Sequence, residues 1–403
     1  MRARLVVGKN FGDEGKGLAT DYFAADSQAR GNTCLVIRHN GGAQAGHTVD
    51  FPDKRFIFHQ LSSGSFRNAD TFWAQAFLPD LFKLEDEIRD FKRVRDRTPK
   101  IFAHPLCRCV CIDDVLVNMA LETTRGNNRH GSCGMGINEA VVRSKDDQYR
   151  LNIKDACDLS GEGLYKRLLQ LRHEYLPKRL EKLGLSIKHI GEYGDLLTDN
   201  NVLINVADQM KRASEMVVVA ENDIVFKYDD VIFEGAQGLL LDENYRAFAP
   251  HLTSSKTGSD VPMCFIEENM PDVVPEIVYI TRSYLTRHGA GPLPNEKLWD
   301  NYGISVQDLT NRPNEWQGSL RFAPHGTVVE FFADASADFK RHTSKRSISY
   351  MVTHLNETDE QILSASGRTP ITQWFAHSPD KADITRLYLS SSPYSQDIRC
   401  LDL

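Results

Sequence analysis

The sequence predicts an α/β protein, one large domain wound around a long, mostly parallel sheet with helical subdomains. Three observations lead there. Short apolar runs end in glycine-rich or polar turns, and helical patterns lie between those runs. The glycine-rich turns also fall where a wound sheet binds its ligands, beyond the carboxyl ends of the strands. No internal repeat, low-complexity tract or linker interrupts the 403 residues, so 1–403 is expected to fold as a single unit.

ARLVVG at 3–8 is the first expected strand, apolar but for Arg4, as a strand covered on both faces mostly is. CLVIRHNGG at 34–42, DVIFEGAQG at 230–238, EIVYITRSY at 276–284 and SYMVTHLNE at 349–357 read the same way. Residues 81–96, 164–184 and 201–222 carry helical patterns, and a helical insertion is expected over roughly 80–225. HPLCRCVCIDD places His104 near Cys107, Cys109 and Cys111. A period of two is how a strand fills one face, and no CxxC pair exists in the chain, so a structural metal is not expected there. FKRHTSKRSI at 339–348 reads as a solvated basic face.

Lys and Arg number 48 against 55 Asp and Glu, a net charge of -7 that offers no footprint for nucleic acid or an anionic membrane. Any phosphate must be held by local geometry. The start, MRARLVVGKNFGDE, has no signal-like apolar stretch, and nowhere do about 18 apolar residues run together, so a cytoplasmic protein is expected.

GKNFGDEGKG at 8–17 nearly spells a phosphate-binding P-loop. Asn10 stands where the first glycine belongs, and Gly17 follows Lys16 where Ser or Thr belongs. The turn still aims backbone N–H groups at an anion beside a lysine. Asp13 and Glu14 would repel a phosphate unless a hard cation intervenes or one of them takes a proton. A second glycine-rich loop, RHNGGAQAGHTV at 38–49, brings His47 between Gly46 and Thr48, where an imidazole meets an oxygen that gains charge. One loop with a base and one with a donor together point to catalysis.

These loops resemble the adenylosuccinate synthetases, which join a purine nucleotide to aspartate. The family's W-G-D-E-G-K-G-K appears as FGDEGKGL, its R-x-N-G-G-x-N-A-G-H-T as RHNGGAQAGHT, and its F-E-G-A-Q-G-x-L-L-D as FEGAQGLLLD at 233–242. V-T-S-S is matched by LTSS at 252–255, and T-R-x-G-x-G-P-x-P by TRHGAGPLP at 286–294. Five ordered motifs over about 290 residues are far more specific than one glycine pattern.

The resemblance implies a P-loop NTPase-related fold, a homodimer, and Mg²⁺ with ATP or GTP as phosphate donor. Asp13 would take the proton from purine N1 while His47 stabilises O6 as it attacks the γ-phosphate, and aspartate would then displace the 6-phosphoryl group. Asp13 and the Gly46 carbonyl would ligate Mg²⁺. Gly12, Glu14, Gly15, Lys16, Gly17, Gly46, His47 and Thr48 would form the triphosphate site. Thr353, His354 and Asn356 would hold its base, within a base-binding part over roughly 325–403. Asn40, Gln44, Ser132, Gln237 and Thr253, with Arg143 lent across the dimer, match positions that grip the nucleoside monophosphate. Asn311, Arg312, Gln317, Gly318 and Arg321 fall in the region of the aspartate loop, with Arg321 favoured to hold the dicarboxylate.

Departures from the family pattern fall on specificity. The family's T-K-x-D is Thr353-His354-Leu355-Asn356 here, and an asparagine donates as well as accepts, which weakens the case for guanine. The family's T-G-R-x-R-R-C-G-W is rewritten as TNRPNEWQGSLRFAPHG at 310–326. Both changes lean toward a phage branch that makes 2-aminoadenylosuccinate from dGMP with ATP. That branch often replaces the aspartate of GDEGKG with a small hydroxyl residue, whereas this chain keeps Asp13. IMP, GMP and dGMP all stay open as acceptors. A binding protein that had lost turnover would not need both Asp13 and His47.

Overall fold

A computed structural model describes residues 1–126, 129, 132–306, 318–379 and 381–403. In chain order the strands are β1 (Arg2–Gly8), β2 (Cys34–Arg38), β3 (His47–Phe51), β4 (Lys54–Phe58), β5 (Asp70–Trp73), β6 (Ile101–Ala103), β7 (Val217–Val219) and β8 (Asp230–Glu234). They continue with β9 (Glu276–Arg282), β10 (Leu285–Arg287), β11 (Arg321–Ala323), β12 (Ser347–Thr353), β13 (Gln361–Ser364), β14 (Gly367–Pro370), β15 (Ile384–Leu389) and β16 (Arg399–Asp402). Ten of them form one sheet in the order β16-β15-β12-β9-β1-β8-β2-β5-β6-β7. Every neighbouring pair in it is parallel except β15 with β16, so the expected α/β architecture is present.

The continuous apolar runs are explained by burial on two faces. Leu5 and Val7 of β1 pack with Phe233, Tyr279 and Tyr350 in one apolar cluster, while Val6 packs with Val36, Ile232, Val278 and Met351 in another on the opposite face. Helix α1 (Lys16–Ala29) covers the second face through Leu18, Ala19 and Phe23. Alternate residues pointing to opposite faces follow from the strand period of two. β1 and β8 stand at the centre of the sheet, which sets the turns after them side by side.

Helix α2 (Leu81–Val94) joins β5 to β6, and helices α3 (Ile112–Arg125) and α4 (Ile137–Arg143) lead into the helical segment that precedes β7. Two expected helices come out differently. The run at 164–184 is two helices, Gly161–Glu174 and Leu176–Leu183, because Pro177 in the first turn of the second removes the N–H that would continue the first. The run at 201–222 is helical only over Asn200–Ser214; Val217, Val218 and Val219 form edge strand β7. Three consecutive β-branched residues favour the pleated backbone once β6 offers a partner.

Cys107, Cys109 and Cys111 are all buried within one apolar cluster, and burial pushes their thiols well above the ordinary range. Within the basic stretch, Arg341 and His342 pair with Asp260, and Arg346 donates to the Phe339 carbonyl. Among the described residues no helix is long and apolar enough to cross a membrane.

Candidate active site

β1 delivers the chain to a turn at the carboxyl edge of the sheet, and α1 begins at Lys16 on its far side. Gly8 ends the strand where a Cβ would lie 2.3 Å from the Gln237 carbonyl oxygen. We therefore expect Gly8→Ala to destabilise the fold by about 1–3 kcal/mol through overpacking, read from urea melts; an unchanged midpoint would contradict the close approach. Glu14 is folded back into the turn. Its carboxylate accepts from the N–H groups of Asn10 at 3.0 Å and Gly12 at 2.8 Å and pairs with Lys16 Nζ at 2.8 Å. Glu14 thus builds the loop from behind, and the Gly12 amide is committed to it rather than to a phosphate. Lys16 retains two further donors, since an ammonium carries three.

The fold-back of Glu14 turns Asp13 outward. Asp13 takes φ 61, a left-handed value that costs a non-glycine residue about 1–2 kcal/mol. Its carboxylate accepts no hydrogen bond among the described residues. Burial raises its pKa, opposed by the charges of Arg282, Lys16 and His288. An unclaimed, partly desolvated carboxylate of this kind suits a proton acceptor.

His47 opens β3, opposite this turn. Its Nδ1 lies 2.8 Å from Glu234 Oε1 at the end of β8. Burial alone would raise the Glu234 pKa, yet His47 and Arg38 together hold it at about 2, so the carboxylate is ionised and Nδ1 carries the proton. Ser63 also donates to Glu234, and Arg38 Nε stands 3.8 Å away. Burial lowers His47 to about 4, leaving a neutral ring whose Nε2 is buried without a partner. To donate from Nε2, as the resemblance requires, His47 must gain a second proton when negative charge enters the cleft.

Both loops open on a single cleft of about 1230 Å³. Of the expected residues, Gly12, Asp13, Gly15, Lys16, Gly17, Gln44, Gly46, His47, Thr48, Ser132, Gln237, Thr253, Thr353, His354 and Asn356 line it. Four of their polar atoms, Gln44 Oε1, His47 Nε2, Thr48 Oγ1 and Gln237 Oε1, are buried and unpartnered. Buried polar groups are nearly always satisfied, so four such atoms in one cleft mark a polar ligand site.

Other expected residues stand elsewhere. Asn40 spends its amide on backbone, donating to the Lys256 and Ala236 carbonyls and accepting from the Ala236 N–H, so it ties two loops together. Arg143, expected to be lent to a partner, is buried at the end of α4. All three of its nitrogens are engaged, by Asp114 and by the carbonyls of Cys109 and Tyr149. Lys145, two residues further on, does line the cleft. Arg321 does not line it either: it pairs with Glu296 and donates to the carbonyls of Gly289 and Gly291, bracing their loop. Gly318 is exposed, and Asn311, Arg312 and Gln317 lie outside the described residues.

Several lining residues were not anticipated. Glu357, Ser390, Ser392 and Pro393 line the cleft together with Asn356 and His354, and Arg282 and Arg287 line it as well. Glu234 was within reach, since a carboxylate at the end of an apolar strand must find a buried partner. The site also suits a hard cation: the Asp13 carboxylate is unclaimed, and such ions need only one or two protein carboxylates besides phosphate and water.

The sequence profile of the adenylosuccinate synthetase family matches residues 5–319. The chain is 31% identical over 315 residues to the adenylosuccinate synthetase of Clostridium botulinum (strain Alaska E43 / Type E3), spanning 76% of this chain and 68% of that protein. It is 29% identical over 327 residues to that of Lactobacillus acidophilus, spanning 77% and 68%. Fully ligated adenylosuccinate synthetase from Plasmodium falciparum superposes with a TM-score of 0.68 at 15% identity, covering 98% of this chain and 99% of that one. The succinoaminodeoxyadenylate synthetase of cyanophage S-2L, bound to dGMP and dATP, gives 0.62 at 15%, covering 99% and 95%. The two structures show the shared fold, and the profile match over most of the chain shows the relationship. The chain belongs to the adenylosuccinate synthetase family and is a ligase that forms carbon–nitrogen bonds.

Proposed function

We propose that the enzyme joins aspartate to C6 of a 6-oxopurine nucleoside monophosphate through a 6-phosphoryl intermediate. The observation that carries this reading is the pairing of an unclaimed Asp13 carboxylate with an unpartnered His47 Nε2 on two loops of one cleft. Asp13 takes the N1 proton; O6 attacks the γ-phosphorus as its bond to the leaving diphosphate oxygen breaks; His47, drawn to its imidazolium form by the arriving anions, stabilises O6. The aspartate amino group then adds at C6, and orthophosphate leaves with the C–O bond. The chemistry requires the first step, because an oxygen at C6 leaves poorly until phosphorylated.

Lys16, Gly15, Gly17 and Thr48 hold the triphosphate in this reading, aided by the amino terminus of α1. Gln44, Gln237, Ser132, Thr253 and Lys145 serve the monophosphate, and the enzyme acts as a homodimer. Asp13 and the Gly46 carbonyl would hold Mg²⁺, which offsets phosphate charge when bound. The mechanism is tested with acceptor carrying ¹⁸O at C6. Label should appear in orthophosphate, and label-free orthophosphate formed alongside the succinyl product would overturn the 6-phosphoryl route.

A second reading, dGMP with ATP, is favoured by Asn356 at the position expected to hold the donor base, in a cleft that Ser390 and Ser392 also line. The cyanophage structure with dGMP and dATP supports it as an analogy of fold. We expect Asn356→Asp to raise the GTP/ATP preference about tenfold or more, because the carboxylate accepts from both guanine N–H groups. Competition kinetics reads the ratio, and an unchanged value would remove Asn356 from base recognition.

A further inference from the structure

Arg282, the last residue of β9, is buried and reaches across to the catalytic turn. Its Nε donates to the Asp13 carbonyl at 2.7 Å. Its Nη1 donates to Tyr284 Oη at 3.3 Å, with the guanidinium carbon 5.9 Å from the Tyr284 ring centre. Tyr284 in turn donates to the Glu357 carboxylate, and Glu357 follows Asn356 along the same cleft. His325 Nε2 donates to the Arg282 carbonyl at 3.0 Å and fixes the strand end from below. On the neighbouring strand, Thr353 pairs in register with Arg282 and donates through Oγ1 to the Glu14 carbonyl at 2.9 Å. Two adjacent strands therefore hold two consecutive carbonyls of the turn. One of those residues is Asp13, whose left-handed backbone needs an outside hold to persist.

We infer that Arg282 is a positioning residue that clamps the Asp13 backbone so that its carboxylate points into the cleft, and that Tyr284 and Glu357 brace Arg282 from the end where Asn356 lies. The inference rests on the reading of Asp13 as the proton acceptor. Charge alone does not serve: Lys16 already places a cation in the loop, whereas the Asp13 carbonyl needs a donor at a fixed place, which the Nε of a planar guanidinium braced at Nη1 supplies. A lysine at 282 keeps the charge and loses the fork.

The test compares the wild-type protein with Arg282→Gln, Arg282→Lys and Tyr284→Phe by amide hydrogen exchange and by steady-state kinetics. In Arg282→Gln, exchange over residues 10–17 should quicken about tenfold while the β3–β4 hairpin at 47–58 stays as in the wild type. Turnover should fall about a hundredfold with the KM for the monophosphate within threefold. Arg282→Lys should recover only part of the loss, and Tyr284→Phe, which leaves Arg282 in place, should show the same pattern more weakly. Unchanged exchange over 10–17 in Arg282→Gln would overturn the inference, as would full rescue by lysine. So would a rise in exchange spread over the whole chain in Tyr284→Phe, since that pattern marks a merely structural brace. The exchange measurement needs no turnover: a wild-type protein that forms no succinyl adduct would refute the proposed reaction and leave the clamp to be judged by exchange alone.

Discussion

Asp13→Asn should lower the turnover of the ligase by about 10²–10⁴-fold, the usual worth of a positioned general base, while triphosphate affinity changes only a few-fold. The asymmetry follows from the loop. Glu14, Lys16 and the clamped carbonyls shape the turn without the Asp13 carboxylate, which accepts no hydrogen bond from the described residues. An asparagine keeps the size and one oxygen for a cation, and loses the negative charge together with the ability to take a proton. Single-turnover kinetics beside calorimetric titration of ATP separates the two effects. A variant that keeps most of its turnover would remove Asp13 from the proton transfer.

Glu234→Gln should be nearly as damaging, for two separable reasons. The ionised carboxylate accepts a hydrogen bond from His47 Nδ1–H at 2.8 Å and is the partner that would stabilise an imidazolium during the reaction. A neutral amide supports that charge poorly and is free to present its NH₂ group instead, so turnover should fall on the order of 10²-fold or more. Glu234 is also the ion partner of Arg38, both side chains being fully buried. Removing one charge of a buried pair leaves the other uncompensated, which costs about 3–5 kcal/mol. Urea melts should therefore shift together with the loss of rate. His47→Gln separates the two, since it should lose rate while leaving the Arg38–Glu234 pair intact; equal destabilisation in both variants would contradict this division.

What the sequence made legible was the set of groups tied to a strand end and a glycine. β1, β2, β8, β9 and β12 were visible because a strand covered on both faces is apolar over most of its length. The loops after β1 and β2 were visible because close backbone approach demands glycine, as Gly8 and Gly17 show. Residues whose role depends on a distant partner were not legible. Arg143 and Arg321 matched by position, but a buried Asp114 and a bent Gly289–Gly291 loop claim them. Arg282 carried no signal, because its partner, the carbonyl of Asp13, is a backbone atom that any sequence supplies. The helix drawn through Val217 failed for a related reason: only the presence of β6 made a strand of it.

The central claim, that this cleft links aspartate to a 6-oxopurine nucleotide, is tested most directly by mass spectrometry of the products formed from IMP, GMP and dGMP with aspartate, Mg²⁺ and either ATP or GTP. A succinyl adduct of at least one acceptor, formed only when triphosphate and aspartate are both present, is the predicted result. An adduct of IMP would identify the enzyme as an adenylosuccinate synthetase with altered pockets, and an adduct of dGMP made with ATP would assign it to the diaminopurine reaction. Triphosphate hydrolysis without any adduct, from folded protein, would contradict the claim.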